Sequence, residues 1–292
     1  MHVNDSKKPA GALVKDLFKL IRIKQWVKNG FVLAPLLFTG RFTNPASLKS
    51  AVLAAVLFCL ASSATYIVND LKDINRDRLH PTKSKSRPLA AGTIPISLAL
   101  CVLVCLYGGL IAGYIVEPKV IMVIVGYSCL NLAYTFILKH QPVVDIFTIA
   151  IGFVLRVLAG AVALNAPVSG WMFVTTLCLA LYLAAIKRSQ ELSLSGTEGR
   201  AVLSKYTKPL VDKYAEMSAT CALVFYSMFV MSSRPELIVT VPLVLFGLFR
   251  YWYVVDVLDA GESPTDAFLA DWPLLITIVV WCAACAWALW PA

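Results

Sequence analysis

Nine mostly apolar stretches follow one another along the chain, at roughly 26–43, 48–69, 96–116, 119–138, 143–165, 170–187, 214–233, 236–256 and 271–290. Each approaches the roughly 20 residues that an α-helix needs to cross the hydrocarbon core of a bilayer. Backbone groups in lipid have no water to bond, so a series of such runs restricts the chain to helices packed within a membrane. Composition agrees: 59% of the 292 residues are hydrophobic and 15% charged, too few polar groups to coat a water-soluble globule. The expected fold is therefore an all-α polytopic membrane protein with nine transmembrane helices. No long linker or low-complexity tract interrupts the series, so residues 1–292 read as one domain. The first run contains Lys28, Asn29 and Pro35, and its inner end should be wet or face the protein interior.

The basic residues orient this bundle. Placing the segment 1–25, with Lys7, Lys8, Lys15, Lys19, Arg22 and Lys24, in the cytoplasm puts 21 of the 26 Lys and Arg residues on that side. Arg41, Lys49, Lys119 and Arg234 fall outside, and Arg156 lies within the fifth run. The N-terminus is then cytoplasmic and the C-terminus external, in a plasma or inner membrane. A formal net charge of +9 reports this orientation, and no nucleic-acid partner is expected. A homo-oligomer is compatible with such a lipid-facing surface. All eight cysteines sit in apolar runs, where a thiol acts as a small hydrophobe, so neither disulfides nor zinc are expected; Cys282 and Cys285 have CxxC spacing but no partner pair.

The chemistry is concentrated where the second run ends. Asn69-Asp70-Leu71-Lys72-Asp73-Ile74-Asn75-Arg76-Asp77-Arg78 contains no Gly or Pro, so the helix should continue through it. Asn69, Asp73 and Asp77 then fall at i, i+4 and i+8, one face over about 12 Å. Two carboxylates and an amide oxygen, with space left for water and phosphate oxygens, suit Mg²⁺. Arg78, His80, Lys83, Lys85 and Arg87 follow at once. Cations beside a carboxylate stripe point to a polyanion bridged by metal, whereas either feature alone would read as a solvated, self-paired loop.

At Asn69, Asp70, Asp73 and Asp77 the chain matches the NDxxDxxxD motif of the UbiA superfamily of intramembrane transferases, which it therefore resembles. The stretches from Arg22 to Asn29, Asp77 to Lys83, Asp145 to Arg156 and Arg250 to Asp271 resemble the branch of that superfamily that acts on decaprenyl phosphate. The resemblance covers nearly the whole chain. It implies a nine-helix bundle around a central cavity, with Mg²⁺ and the diphosphate of phosphoribosyl pyrophosphate held at the first motif. It further implies transfer of 5-phosphoribosyl to a polyprenyl phosphate for cell-wall arabinan precursor synthesis, a pentosyltransferase reaction. The second aspartate-rich motif of prenyltransferases is missing after the sixth run, where Glu191 is the only acid before Glu198.

Around this centre stand supporting candidates, each with a plainer reading. By the resemblance Lys187, Arg188 and Glu191 lie at the phosphate end of the cavity, Glu191 being a second metal contact or an ordinary i, i+4 partner of Lys187. Lys24, Lys28 and Asn29 are membrane anchors or a phosphate grip. Tyr134 and Lys139 end the fourth run as interfacial residues or donor contacts. His80 is poor metal geometry and better suited to a phosphate or ribose hydrogen bond. Asp145 and Arg156 share one helical face and are either a buried structural set or substrate contacts; a central arginine facing lipid costs roughly 2.5–3.5 kcal/mol, so Arg156 should point inward. Two competing functions remain at this stage: an isoprenyl transferase using the same first motif on an aromatic acceptor, and an ion or solute transporter.

Overall fold

A computed structural model describes residues 10–79, 82–195, 202–257 and 270–290, and every regular element among them is helical. After α1 (Ala10–Leu20), a 3-10 segment (Ile23–Leu33) leads into the short α2 (Ala34–Phe38). Then come α3 (Pro45–Leu79), the single turn α4 (Lys83–Ser86), α5 (Ile96–Val116), α6 (Pro118–Phe136) and α7 (Val144–Ala163). The chain continues through α8 (Gly170–Ser195), α9 (Lys208–Ser233), α10 (Val241–Asp256) and α11 (Trp272–Ala288). Proline stands in the first turn of α6, α9 and α11, where its fixed φ helps and its missing N–H would have had no helical partner. Asp271 caps α11 by accepting from Leu274 N–H, and its carboxylate also accepts from Arg250 Nε and Nη2.

Seven helical segments among the described residues are long and apolar enough to cross a membrane. The last expected span is a shorter apolar helix, α11. The first, expected as one helix over 26–43, is instead broken into the 3-10 segment, α2 and a 3-10 turn at Arg41–Thr43. Pro35 and the left-handed Gly40 (φ 69°) explain the breaks on one side. On the other, Arg22 enters the segment in the left-handed region (φ 53°), an unusual conformation for a side chain of its size.

Two apolar cores flank the centre. One gathers Leu57 and Phe58 of α3, Leu110 of α5, Ile124 and Tyr127 of α6 and Ala159 of α7. The other gathers Tyr182 of α8, Ala215 of α9, Leu248 and Tyr251 of α10 and Leu274 of α11. Ala150 and Phe153 of α7 meet Ala180 of α8 between them. The 3-10 segment wedges against α7, and Gly160 permits that approach: a Cβ there would sit 1.9 Å from the Val32 carbonyl oxygen and 3.2 Å from Pro35 Cδ. Gly160→Ala is therefore expected to destabilise the protein by about 1–3 kcal/mol, the usual range for overpacking. Gly126→Ala, with no neighbouring atom within 4 Å of the new methyl, is the control that should leave thermal denaturation in detergent nearly unchanged.

Candidate active site

α3 is 35 residues long, about 52 Å, well beyond a hydrocarbon core about 30 Å thick. The helix runs unbroken through Leu79, so its last turns carry Asn69, Asp73 and Asp77 to the rim of a cavity of about 320 Å³. The 3-10 segment contributes Lys28 and Phe31, the stretch after α3 contributes Lys83 and Arg87, and α6 contributes Tyr127, Asn131, Tyr134 and Thr135. Lys139, Gly152 and Arg156, with Lys187 and Arg188 of α8, complete the wall. Among the described residues nine Lys or Arg and two Asp line the space, while Asp70, Asp145 and Glu191 pair three of those arginines from behind, a lining of positive sign that suits a polyanionic ligand.

The two aspartates are already placed among cations. Asp73 takes Lys139 Nζ at 3.1 Å on both oxygens. Asp77 accepts from Arg87, whose guanidinium also donates to Asp70 at 2.9 Å. Asn69 Oδ1 accepts from the Thr135 hydroxyl at 3.3 Å. No group of three or more His, Cys, Asp or Glu side chains converges among the described residues. The donor chemistry nevertheless fits a hard cation that keeps waters and takes its remaining ligands from phosphate: two carboxylates and one amide oxygen on a single cavity-facing stripe.

The structure divides the other expected site residues into those at the cavity and those behind it. Lys28, Lys83, Arg87, Tyr134, Lys139, Arg156, Lys187 and Arg188 line it. Asp70 does not; it is buried beneath Arg22 (2.5 Å) and Arg87, and so holds two arginines at the rim. Asn29 is buried as well, bonded to Ser62, Cys59 and Arg156. Lys24 and Arg78 are exposed and lie off the cavity, because the register that turns Arg22 and Asp77 inward turns them out. His80 lies outside the described residues.

Asp145 belongs to the supporting layer too. Fully buried, it accepts Arg188 Nε at 2.8 Å and the Tyr206 hydroxyl at 2.7 Å. Arg188 also reaches Glu191 at 2.5 Å and the Tyr134 hydroxyl at 3.2 Å, so the Glu191 carboxylate is engaged on its own helix. Burial, and the hydrogen bond it donates to Asp145, hold the Tyr206 phenol above its ordinary range. Its oxygen accepts from Val143 N–H, where the backbone has a φ of 66°, a strained value for a β-branched residue. Arg156, by contrast, has neutral partners: Asn29, the Gly152 carbonyl and Tyr127. Sequence reasoning left Arg22, Arg76, Asn131 and Thr135 out of the site; all four line the cavity.

A multi-pass helical bundle with this acid-and-cation-lined cavity is a membrane transferase of UbiA type, and the chain belongs to the UbiA prenyltransferase family, whose model matches residues 31–272. It is 37% identical, over 94% of both chains, to the decaprenyl-phosphate phosphoribosyltransferase of Mycobacterium tuberculosis. With the enzyme of the same name from Mycolicibacterium smegmatis it shares 33% identity over 96% of this chain and 95% of the relative. Among solved structures, a UbiA homolog from Archaeoglobus fulgidus bound to GPP and Mg²⁺ has the same fold, with a TM-score of 0.73 at 21% identity over 94% of this chain and 99% of that one.

Proposed function

We propose that this chain transfers a 5-phosphoribosyl group from phosphoribosyl pyrophosphate to a polyprenyl phosphate, releasing pyrophosphate in a Mg²⁺-dependent reaction. The observation that carries the proposal is the lining: nine cations and a stripe of two carboxylates match a donor and an acceptor that both bear phosphates. The phosphoribosyltransferase relatives, aligned over nearly the whole chain, support the same reading.

Asn69, Asp73 and Asp77 would hold the metal ion, which when bound offsets the charge gathering on the departing diphosphate. Lys83 and Arg87 on the turn after α3, Lys139 after α6 and Lys187 on α8 come from three parts of the chain and can each grip diphosphate oxygens. Arg87 and Lys139 now rest on Asp77 and Asp73, a position from which each can turn to substrate. In the reaction the bond from ribose C1 to the diphosphate oxygen breaks and that oxygen leaves with the electron pair. An acceptor phosphate oxygen then supplies the pair for the new C1–O bond. That oxygen is already anionic, so no general base is needed. The chain's task is to bring two mutually repelling anions together and stabilise the leaving one.

The topology proposed with this reaction has nine crossings, a cytoplasmic N-terminus and the cavity open to the cytoplasm. A 3-10 helix rises about 2.0 Å per residue, so the segment Ile23–Leu33 covers about 22 Å and, with α2, about 30 Å, the thickness of a hydrocarbon core. The broken first segment is thus long enough to cross. A transporter is disfavoured by membership of a transferase family. An isoprenyl donor is disfavoured by a cavity whose acids, among the described residues, are Asp73 and Asp77 alone.

Purified protein in detergent or nanodiscs should release pyrophosphate from phosphoribosyl pyrophosphate only when decaprenyl phosphate and Mg²⁺ are both present. EDTA should abolish the release and excess Mg²⁺ restore it. Release that persists in EDTA would contradict the metal's role.

A further inference from the structure

Arg156 is an unbalanced charge at the floor of the cavity. Its side chain is 5% exposed, and aromatic rings surround its guanidinium: Phe58 at 5.4 Å, Tyr127 at 4.9 Å and Phe153 at 5.2 Å from the ring centroids. It donates from Nε to Asn29 at 2.9 Å, from Nη1 to the Gly152 carbonyl at 2.7 Å and from Nη2 to the Tyr127 hydroxyl at 3.1 Å. All three acceptors are neutral, and among the described residues no carboxylate pairs with this arginine. A guanidinium has five N–H donors, so two remain, on a residue that lines the cavity. Arginine cannot shed its proton in a protein, so its charge cannot be removed by neutralisation.

Depth separates this group from the carboxylate stripe. Arg156 lies three turns along α7 from Asp145, about 16 Å of helix rise, with its guanidinium turned back one turn toward Gly152. Phe58, on which it stacks, is likewise three turns below Asn69 on α3. A diphosphate held at Asp73 and Asp77 therefore leaves this guanidinium for a different anion.

Resting on the reading of the cavity as a site for phosphorylated substrates, we propose that Arg156 is the core of a second phosphate site on the cavity floor, in which a terminal phosphate supplies the counter-charge the protein omits. Two spare N–H donors on one planar fork suit two phosphate oxygens. The phosphate comes either from the 5-position of the ribosyl donor or from the lipid acceptor. Asn29 is a positioning residue: it is buried, anchored by Ser62 and Cys59, and holds Nε of the guanidinium that lines the cavity.

The test uses the full-length protein in nanodiscs. Asn29→Asp places a carboxylate against Arg156 with almost no change of shape, giving the arginine an internal counter-ion. Arg156→Gln removes the charge and Arg156→Lys keeps it without the fork. Inorganic phosphate binding is followed first by calorimetry, because it does not depend on turnover. Asn29→Asp and Arg156→Gln should each weaken it about 10- to 100-fold, the range of one or two charge-assisted hydrogen bonds, with Arg156→Lys in between. Steady-state kinetics then assign the source: a KM raised for phosphoribosyl pyrophosphate alone marks the donor's 5-phosphate, and one raised for polyprenyl phosphate alone marks the acceptor. Should the wild type bind phosphate at this site yet show no phosphoribosyl transfer, the floor site stands and the reaction assigned above falls. Phosphate affinity and both KM values unchanged in a folded Asn29→Asp would overturn the floor site, as would a role for Arg156 in stability alone.

Discussion

Asp73→Asn and Asp77→Asn are each expected to lower kcat by about 10²- to 10³-fold, the loss seen when one preorganised contact to a developing charge is removed. Neither change should unfold the protein. Asp73 is partly exposed, and its partner Lys139 sits at the rim where water can replace the carboxylate. Asp77 is buried, but Arg87 retains Asp70 when Asp77 loses its charge. Both variants should therefore insert and melt like the wild type while losing metal-dependent turnover. Lower kcat with an intact melting transition separates a role in chemistry from a role in packing. Near-normal kcat in both would remove the stripe from the reaction.

The largest effect on stability is expected behind the cavity. Arg188 and Asp145 are 1% and 0% exposed, and each is the other's counter-charge. Removing one partner of such a pair leaves a buried charge uncompensated, a loss of about 3–5 kcal/mol. Arg188→Met should therefore lower the unfolding transition sharply: the Tyr206 hydroxyl alone cannot balance Asp145, and Tyr134 loses the Nη2 contact that fixes its ring. Asp145→Asn is expected to do less, because Arg188 keeps Glu191. In the double variant Arg188→Met with Asp145→Asn the fully buried Asp145 charge is no longer left uncompensated, so it should be more stable than Arg188→Met alone, a non-additivity that chemical denaturation in detergent can measure. Equal destabilisation in all three would locate the effect in packing rather than charge.

The features read from sequence and those missed differ in how far apart in the chain their causes lie. The stripe of Asn69, Asp73 and Asp77 was legible because it rests on local periodicity: no Gly or Pro interrupts Asn69 to Leu79, and α3 continues through all of it. Arg22 was not, because its partner Asp70 is 48 positions away and its neighbour Lys24 offered the same charge. The 3-10 segment, entered through a left-handed Arg22, turns one inward and the other out. Asp145 and Arg156 share a face of α7, yet Asp145 is consumed by Arg188 of the next helix while Arg156 keeps donors for the cavity. Hydropathy measured the first span by residue count, but its conformation sets its length: the 3-10 rise stretches a polar, proline-containing segment that a continuous helix over 26–43 could not describe.

The reaction itself is tested most directly by following label. Purified protein is incubated with Mg²⁺ and decaprenyl phosphate together with ribose-labelled phosphoribosyl pyrophosphate, and in a parallel arm with labelled isoprenyl diphosphate and an aromatic acceptor. Organic extraction and mass spectrometry then identify the lipid products. Label is expected in a phosphoribosylated polyprenyl phosphate in the first arm and in no product of the second. A prenylated aromatic product, with no lipid-soluble label from phosphoribosyl pyrophosphate, would contradict the proposed reaction.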